Sequence, residues 1–250
     1  MTSGPIAAAR IAVLDTVDST NAEALRRARA GERGPLWIVA REQRAGRGRR
    51  GRAWISPTGN LHATLILTAP APATVAPQLG FVAGLALHDA AAAAAPGLAA
   101  SLALKWPNDL LCAGRKIAGI LIEGEGNPVT AAIGIGLNCR HHPDGVEFPA
   151  TDFAAEGFDV DAAVLIDLLA AAMQARLTQW GRGAGFAGIR IAWLARAHGL
   201  AQSIRVRLEE RETNGSFETI DGAGRLMLRT ENGGLVPIAA GEVFRFGQTA

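Results

Sequence analysis

Lys105-Trp106-Pro107-Asn108-Asp109-Leu110-Leu111-Cys112-Ala113-Gly114-Arg115-Lys116 carries both lysines of the chain, although Lys and Arg together number 25. Arginine therefore supplies nearly all of the positive charge. In a chain that uses arginine wherever any cation suffices, a retained lysine marks a need for an ammonium. Ammonium is a compact point charge that can follow a carboxylate or phosphate through a reaction, whereas guanidinium is a planar fork. The competing reading is two leftover surface lysines. Locally, Leu102–Trp106 reads as a strand, Pro107-Asn108-Asp109 as a turn and Leu110–Cys112 as a second strand. The Ala113-Gly114-Arg115 turn then leads into a third strand, Lys116–Glu123.

The pattern extends in both directions from this segment. Downstream, Ala131–Asn138 reads as a strand, residues 140–159 as a polar loop, and Asp161–Trp180 and Ile189–His198 as helices. Upstream lie strands at Arg10–Leu14, Leu36–Ala40 and Leu61–Leu67. A helix from Thr20 to about Ala30 is opened by a capping-box pattern at Thr20–Glu23, and another runs over Val75–Ala94. Near residue 200 the texture changes. Ile204–Leu208, Phe217–Ile220, Leu226–Arg229, Leu235–Pro237 and Val243–Phe246 read as short strands punctuated by glycines. The expected fold is α+β: a central mixed β-sheet flanked by helices over residues 1–200, then a small β-barrel or sandwich over residues 201–250.

A second basic feature is Gln43-Arg44-Ala45-Gly46-Arg47-Gly48-Arg49-Arg50-Gly51-Arg52-Ala53-Trp54. Alternating glycines let the backbone turn freely, and arginine forks can converge on an anion from several sides. A flexible cationic loop that closes over an anion, a solvated basic loop and a segment gripping nucleic-acid backbone all fit this composition.

Composition narrows the field. The chain is 49% hydrophobic and 19% charged, as for a folded globular protein, and its net charge of +2 gives no broad basic face for nucleic acid. Two cysteines, Cys112 and Cys139, without a secretory leader point to a reduced, cytoplasmic protein. The apolar run Phe81–Ala95 is interrupted by His88 and Asp89 and is shorter than the roughly 20 residues that span a bilayer. His141-His142 with Asp144 makes no metal site, because adjacent histidines in extended chain point apart.

Five motifs in register resemble the biotin protein ligases. They are the loop Gly46–Trp54, the segment Lys105–Asp109, the strand Arg115–Glu123, Gly134-Ile135-Gly136-Leu137-Asn138, and Ser19-Thr20-Asn21. The resemblance implies a class II synthetase-like catalytic domain with an SH3-like C-terminal barrel. The implied activity uses ATP, biotin and Mg²⁺: biotin is activated to biotinyl-5′-AMP, then passed to a lysine of the biotin carboxyl carrier domain of acetyl-CoA carboxylase. It also implies site residues. Lys116, Arg47 and Arg49 would be catalytic, with Lys116 bridging carboxylate and α-phosphate. Ser19, Thr20, Asn21, Gln43, Gly46, Gly48, Gly119, Gly134 and Gly136 would form the biotin site, the last three by leaving room beside the sheet. Arg49, Arg50, Trp54, Lys105, Asn108 and Asn138 would hold the adenylate. Read alone, Thr20 is an N-cap, Asn108 a turn residue and Trp54 a core anchor. Asp18, Glu123 and Glu125 are acidic candidates near Mg²⁺ or the amine. No residue is assigned as a metal ligand.

Some members of that family carry an N-terminal winged helix-turn-helix. Here the first strand opens about ten residues from Met1, so the expectation is a ligase, monomeric or homodimeric, with no specific DNA binding and no membrane. The alternatives are a lipoate or octanoate ligase or transferase of the same fold, and a nucleic-acid-binding module. The first has no ureido group for Ser19–Asn21 and Gln43 to read. The second lacks aromatics interleaved with its arginines beyond Trp54.

Overall fold

The computed structural model describes residues 9–126, 128–208 and 211–245. A seven-stranded sheet forms the body of the molecule. Its strands are β1 (Arg10–Val17), β2 (Leu36–Gln43), β3 (Leu61–Thr68), β4 (Leu102–Lys105), β5 (Asp109–Cys112), β6 (Arg115–Glu125) and β7 (Thr130–Leu137), in the order β1-β2-β3-β7-β6-β5-β4. Only β1 and β2 pair in parallel; the other neighbours are antiparallel, so the sheet is mixed as expected.

Helices cover both faces unequally. Helices α2 (Leu79–Ala94), α3 (Ala162–Trp180) and α4 (Phe186–Leu194) pack on one face over the main core, which includes Trp37, Leu65, Leu85, Trp180 and Trp193. Helix α1 (Thr20–Arg29) covers the other face over a small cluster of Ala24, Leu36, Ile38, Ile66 and Ala132. The strand end of that second face is left uncovered by α1, and the site lies there.

The C-terminal residues form a five-stranded antiparallel sheet in the order β11-β10-β9-β8-β12, an SH3-like module. Its strands are β8 (Ser203–Arg207), β9 (Glu212–Ile220), β10 (Leu226–Arg229), β11 (Leu235–Ile238) and β12 (Glu242–Arg245). The expected strand end at Phe246 lies outside the described residues. The main core continues into this sheet through Ile204, Val206, Phe217 and Leu226. Trp106 Nε1 donates to Gly224 O at 3.4 Å and Arg190 to Ile220 O at 2.6 Å, further securing it to the body.

Several boundaries differ from the sequence reading. Ser19, not Thr20, caps α1; its hydroxyl accepts from Ala22 N at 3.4 Å. The reason is that Thr20 spends its amide and hydroxyl on Gln43, at 2.8 and 3.0 Å. Strand β2 runs three residues past Ala40, in register with β1 to Val17↔Gln43, which delivers Gln43 to the start of α1. Helix α2 starts at Leu79, because Ala76–Gln78 forms a separate 3-10 turn containing Pro77. Asp161 caps α3 from outside, accepting from Ala163 N at 2.8 Å. Helix α4 ends at Leu194, short of His198, because the next residues pair with β4 instead: Leu104 N donates to Arg196 O and His198 N to Leu104 O, both at 2.8 Å.

Candidate active site

A cavity of about 340 Å³ opens on the uncovered sheet face, between the Arg-Gly loop, the β5–β6 strands, the 140–150 loop and β12. Both lysines reach it and face one carboxylate. Lys116 Nζ lies 2.7 Å from Asp109 Oδ1, and Lys105 Nζ lies 3.9 Å from Asp109 Oδ2. The strand meander accounts for this. Asp109 stands opposite Gly119, where β5 and β6 pair, and a register shift between Leu110 and Leu111 brings Lys116 to the same side.

Lys105 is 7% exposed, and its ammonium sits 3.5 Å from the Phe148 ring centroid and 5.6 Å from that of Phe244. A cation over an aromatic face is stabilised by the ring quadrupole. Burial nevertheless pulls Lys105 down to about 8. Asp109 and Glu147 oppose that fall, while Lys116 and Arg52 add to it. The second lysine keeps more contact with water and lies 5.4 Å from the Trp54 ring.

The Arg-Gly loop is tied to both sheets. Arg49 donates to Asn108 Oδ1 at 3.2 Å and to Gly241 O at 3.5 Å, and burial, then Arg50, draws its pKa down. Arg52 pairs with Glu242, which also pairs with Arg207 at 2.5 Å. Arg47 lies 3.5 Å from Glu123 Oε2. Arg50 takes a positive φ of 56° at the turn and is exposed, outside the cavity wall.

A polar network lies beside the cavity at the start of α1. Thr64 Oγ1 is 2.7 Å from Asn21 Oδ1 and 2.8 Å from Thr20 Oγ1. Asn21 Nδ2 donates to Glu123 Oε2 at 2.8 Å and to Leu121 O at 3.2 Å. Gln43 Nε2 donates to Ser56 Oγ at 2.8 Å. Ser19, Thr20 and Asn21 are all buried.

Of the residues singled out from sequence, Arg47, Gly48, Arg49, Trp54, Lys105, Asn108, Lys116, Gly119, Gly134 and Asn138 line the cavity. Gly46 and Gly136 adjoin it through Trp54, and Ser19–Asn21 and Gln43 form the neighbouring network. The room beside the glycines is filled by the protein's own side chains. A Cβ on Gly136 would lie 2.3 Å from Trp54 Nε1, and one on Gly134 would lie 2.3 Å from Asn21 Oδ1. Asn108 does more than make a turn, since its amide also donates to Ile120 O at 2.8 Å. Asn138 donates to Thr151 O at 3.0 Å. Asp18 is bound by Arg26, whose hydrogen bonds hold it down to about 2, and Glu125 pairs with Arg29 at 2.6 Å.

Sequence reasoning passed over Asp109, Ser56, Thr64, Phe148 and Glu242. Asp109 stood inside a quoted motif, so its charge between two lysines was an available signal. Ser56 directly follows the Arg-Gly loop but carries no signal of its own, and the others reach the site from remote strands and loops that no local pattern marks. His142 pairs with Asp152 at 2.6 Å, and no group of three or more His, Cys, Asp or Glu among the described residues is arranged for a metal ion.

The pattern of the Biotin/lipoate A/B protein ligase family matches residues 13–139, and that of the Biotin protein ligase C terminal domain matches residues 200–245. A biotin–[acetyl-CoA-carboxylase] ligase of Paracoccus denitrificans is 48% identical over 93% of this chain and 99% of its own length. A biotin–[acetyl-CoA-carboxylase] ligase of Mycobacterium tuberculosis is 34% identical over 92% of this chain and 87% of its own. The structure of a biotin protein ligase from Aquifex aeolicus in complex with biotin and ATP superposes with a TM-score of 0.80 at 25% identity, over 94% of this chain and 97% of that one. The fold is that of a protein ligase. The chain belongs to the Biotin/lipoate A/B protein ligase family.

Proposed function

We infer that the chain is an ATP-dependent biotin protein ligase. A biotin carboxylate oxygen attacks the α-phosphorus of ATP, the α–β phosphoanhydride bond breaks, and pyrophosphate leaves. The amine of an acceptor lysine then attacks the acyl carbon of biotinyl-5′-AMP. The bond to AMP breaks, and the amine proton passes to solvent. The carrier domain of acetyl-CoA carboxylase is the proposed acceptor, as the names of the relatives suggest.

The supporting observation is the convergence of both lysines and the loop arginines on one cavity. Bringing two anions together requires fixed positive charge in a site poor in water. In the proposed assignment, Lys116 exchanges Asp109 for the carboxylate and α-phosphate oxygens, while Arg47 and Arg49 close over them. Lys105 and Asn108 serve the phosphates, with Trp54 and Asn138 at the adenylate. Ser19, Thr20, Asn21 and Gln43 read the biotin ureido group. Carboxylates on the cavity wall are engaged by cations: Asp109 by lysine, Glu147 by Arg207, and Glu242 by Arg52 and Arg207. Mg²⁺ bound with the triphosphate would neutralise phosphate charge. Residues 1–200 would form the catalytic unit and residues 201–250 a module that closes one wall. A cytoplasmic location accords with two free buried cysteines. No helix among the described residues is long and apolar enough to cross a membrane.

Ligand selectivity tests this reading. Mixed with ATP and each acid separately, the protein should release pyrophosphate with biotin and not with lipoate or octanoate. The reverse preference would move the chain to the lipoate branch.

Two further outcomes are expected. The tip of the Arg-Gly loop carries like charges on a glycine-rich backbone, so bound anions should order it. Limited proteolysis within residues 47–52 should slow when biotin and ATP are added. Arg47→Ala or Arg49→Ala should raise leakage of the adenylate severalfold. Separately, Lys105 loses its charge as pH rises through about 8. If that charge serves the phosphates, kcat/KM for ATP, which reports the free enzyme, should fall above that pH. The Lys105→Met variant should lack this falling limb. The sign for stability follows the depressed value. Between about 8 and 10.5 the unfolded chain binds the extra proton, so the penalty for burying this ammonium shrinks as pH rises.

A further inference from the structure

Ser56 follows the Arg-Gly loop and is 5% exposed. Its hydroxyl uses both of its hydrogen-bonding roles. It accepts from Gln43 Nε2 at 2.8 Å and donates to Trp54 O at 2.9 Å. The Gln43 carboxamide is fixed from its other end, where Oε1 accepts from Thr20 N and Thr20 Oγ1. The two stems of the loop are also joined through their backbones, Gln43 N to Ser56 O at 3.2 Å and Trp54 N to Gly46 O at 2.9 Å. At Gly46 the approach is so close that an added Cβ would lie 2.5 Å from Ser56 Oγ and 2.4 Å from Trp54 O. One hydroxyl thus connects the exit stem of the cationic loop to the amide beside the start of α1.

We propose that Ser56 is a positioning residue that latches the base of the Arg-Gly loop to Gln43, so that loop placement and biotin recognition depend on one another. Ser56 acts only through Gln43 and Trp54. Hydrogen bonds already hold the loop base at its backbone, so opening is confined to the tip between Gly46 and Trp54, and the latch sets where that tip returns. The proposal rests on the biotin reading for its ligand, but the latch itself is a property of the ligand-free chain. Removing the hydroxyl leaves a half-buried amide hydrogen on Gln43 and the Trp54 carbonyl without their partner.

Ser56→Ala and Ser56→Thr test this, each checked for a melting temperature near that of the parent. Ser56→Ala should raise KM for biotin by about tenfold, the scale of leaving a half-buried polar pair unmade. The turnover rate at saturating biotin should change much less, and the ligand-free loop should be cut faster by protease. Ser56→Thr keeps the hydroxyl and should restore both. An unchanged biotin KM with parent-like loop cleavage in Ser56→Ala would overturn the proposal. So would a uniform loss of kcat and stability without a KM effect. If the parent protein makes no biotinyl-AMP, the functional reading fails. The comparison of loop cleavage in the ligand-free proteins still decides the latch, with Ser56→Ala sufficient should Ser56→Thr not fold.

Discussion

Lys116→Arg should lose biotinyl-AMP synthesis by about a hundredfold or more while remaining folded, on the scale of removing a preorganised charge from a transition state. The charge survives the substitution, so the expected loss is one of shape. The Lys116 ammonium lies 2.7 Å from Asp109 and 5.4 Å from the Trp54 ring, on a strand whose neighbour across the sheet is β5. A guanidinium can keep the pair with Asp109, which preserves folding, but its fork fixes charge in a plane and reaches farther. It cannot occupy the same point between a carboxylate and a phosphate. Pyrophosphate release in a single turnover, alongside a thermal melt, measures both parts. Near-normal release by a folded Lys116→Arg protein would take Lys116 out of the bridging role.

Gly134→Ala should lower kcat/KM for biotin by about a hundredfold, the scale set by disrupting the hydrogen bonds of Asn21. The added methyl would lie 2.3 Å from Asn21 Oδ1 and 2.9 Å from its Cγ. Asn21 must then move away from Thr64, Glu123 and Leu121 O together. Those partners hold the start of α1, which carries Ser19 and Thr20. Gly222→Ala is the matching control. Nothing lies within 4 Å of a Cβ placed at Gly222, and that variant should behave like the parent. Equal kinetics for the two variants would show that the Asn21 network does not shape the biotin site.

Much of the architecture was legible from periodicity and punctuation. The core strands were recognisable because β2 opens on the continuous apolar run Leu36–Ala40, and the glycine-punctuated segments after residue 200 announced a second small sheet. Boundaries moved where tertiary partners outbid local signals. Thr20 looked like a cap, yet Gln43 claims its amide and hydroxyl. His198 looked helical, yet Leu104 accepts its amide hydrogen. The lysine segment and the arginine loop stood out because their composition departs from the rest of the chain. The glycines at 134 and 136 were legible as special positions, but what fills the space beside them was not. Asn21 lies 113 residues from Gly134 in sequence, and their contact depends on a helix docking over the sheet. Phe148 sits in a stretch that carries only loop signals, and Glu242 in a strand of the other sheet. Their place on the cavity wall follows from how the C-terminal module meets the body.

The central claim is tested most directly by transfer to a carrier. The protein, ATP, Mg²⁺ and biotin should be incubated with an apo biotin carboxyl carrier domain and with the same domain carrying arginine at its acceptor lysine. Intact mass of the carrier is the readout. A single biotinyl addition to the first, none to the second, and none without ATP is the predicted result. An unmodified apo carrier in the presence of folded protein, or a lipoyl or octanoyl addition where biotin gives none, would contradict the account.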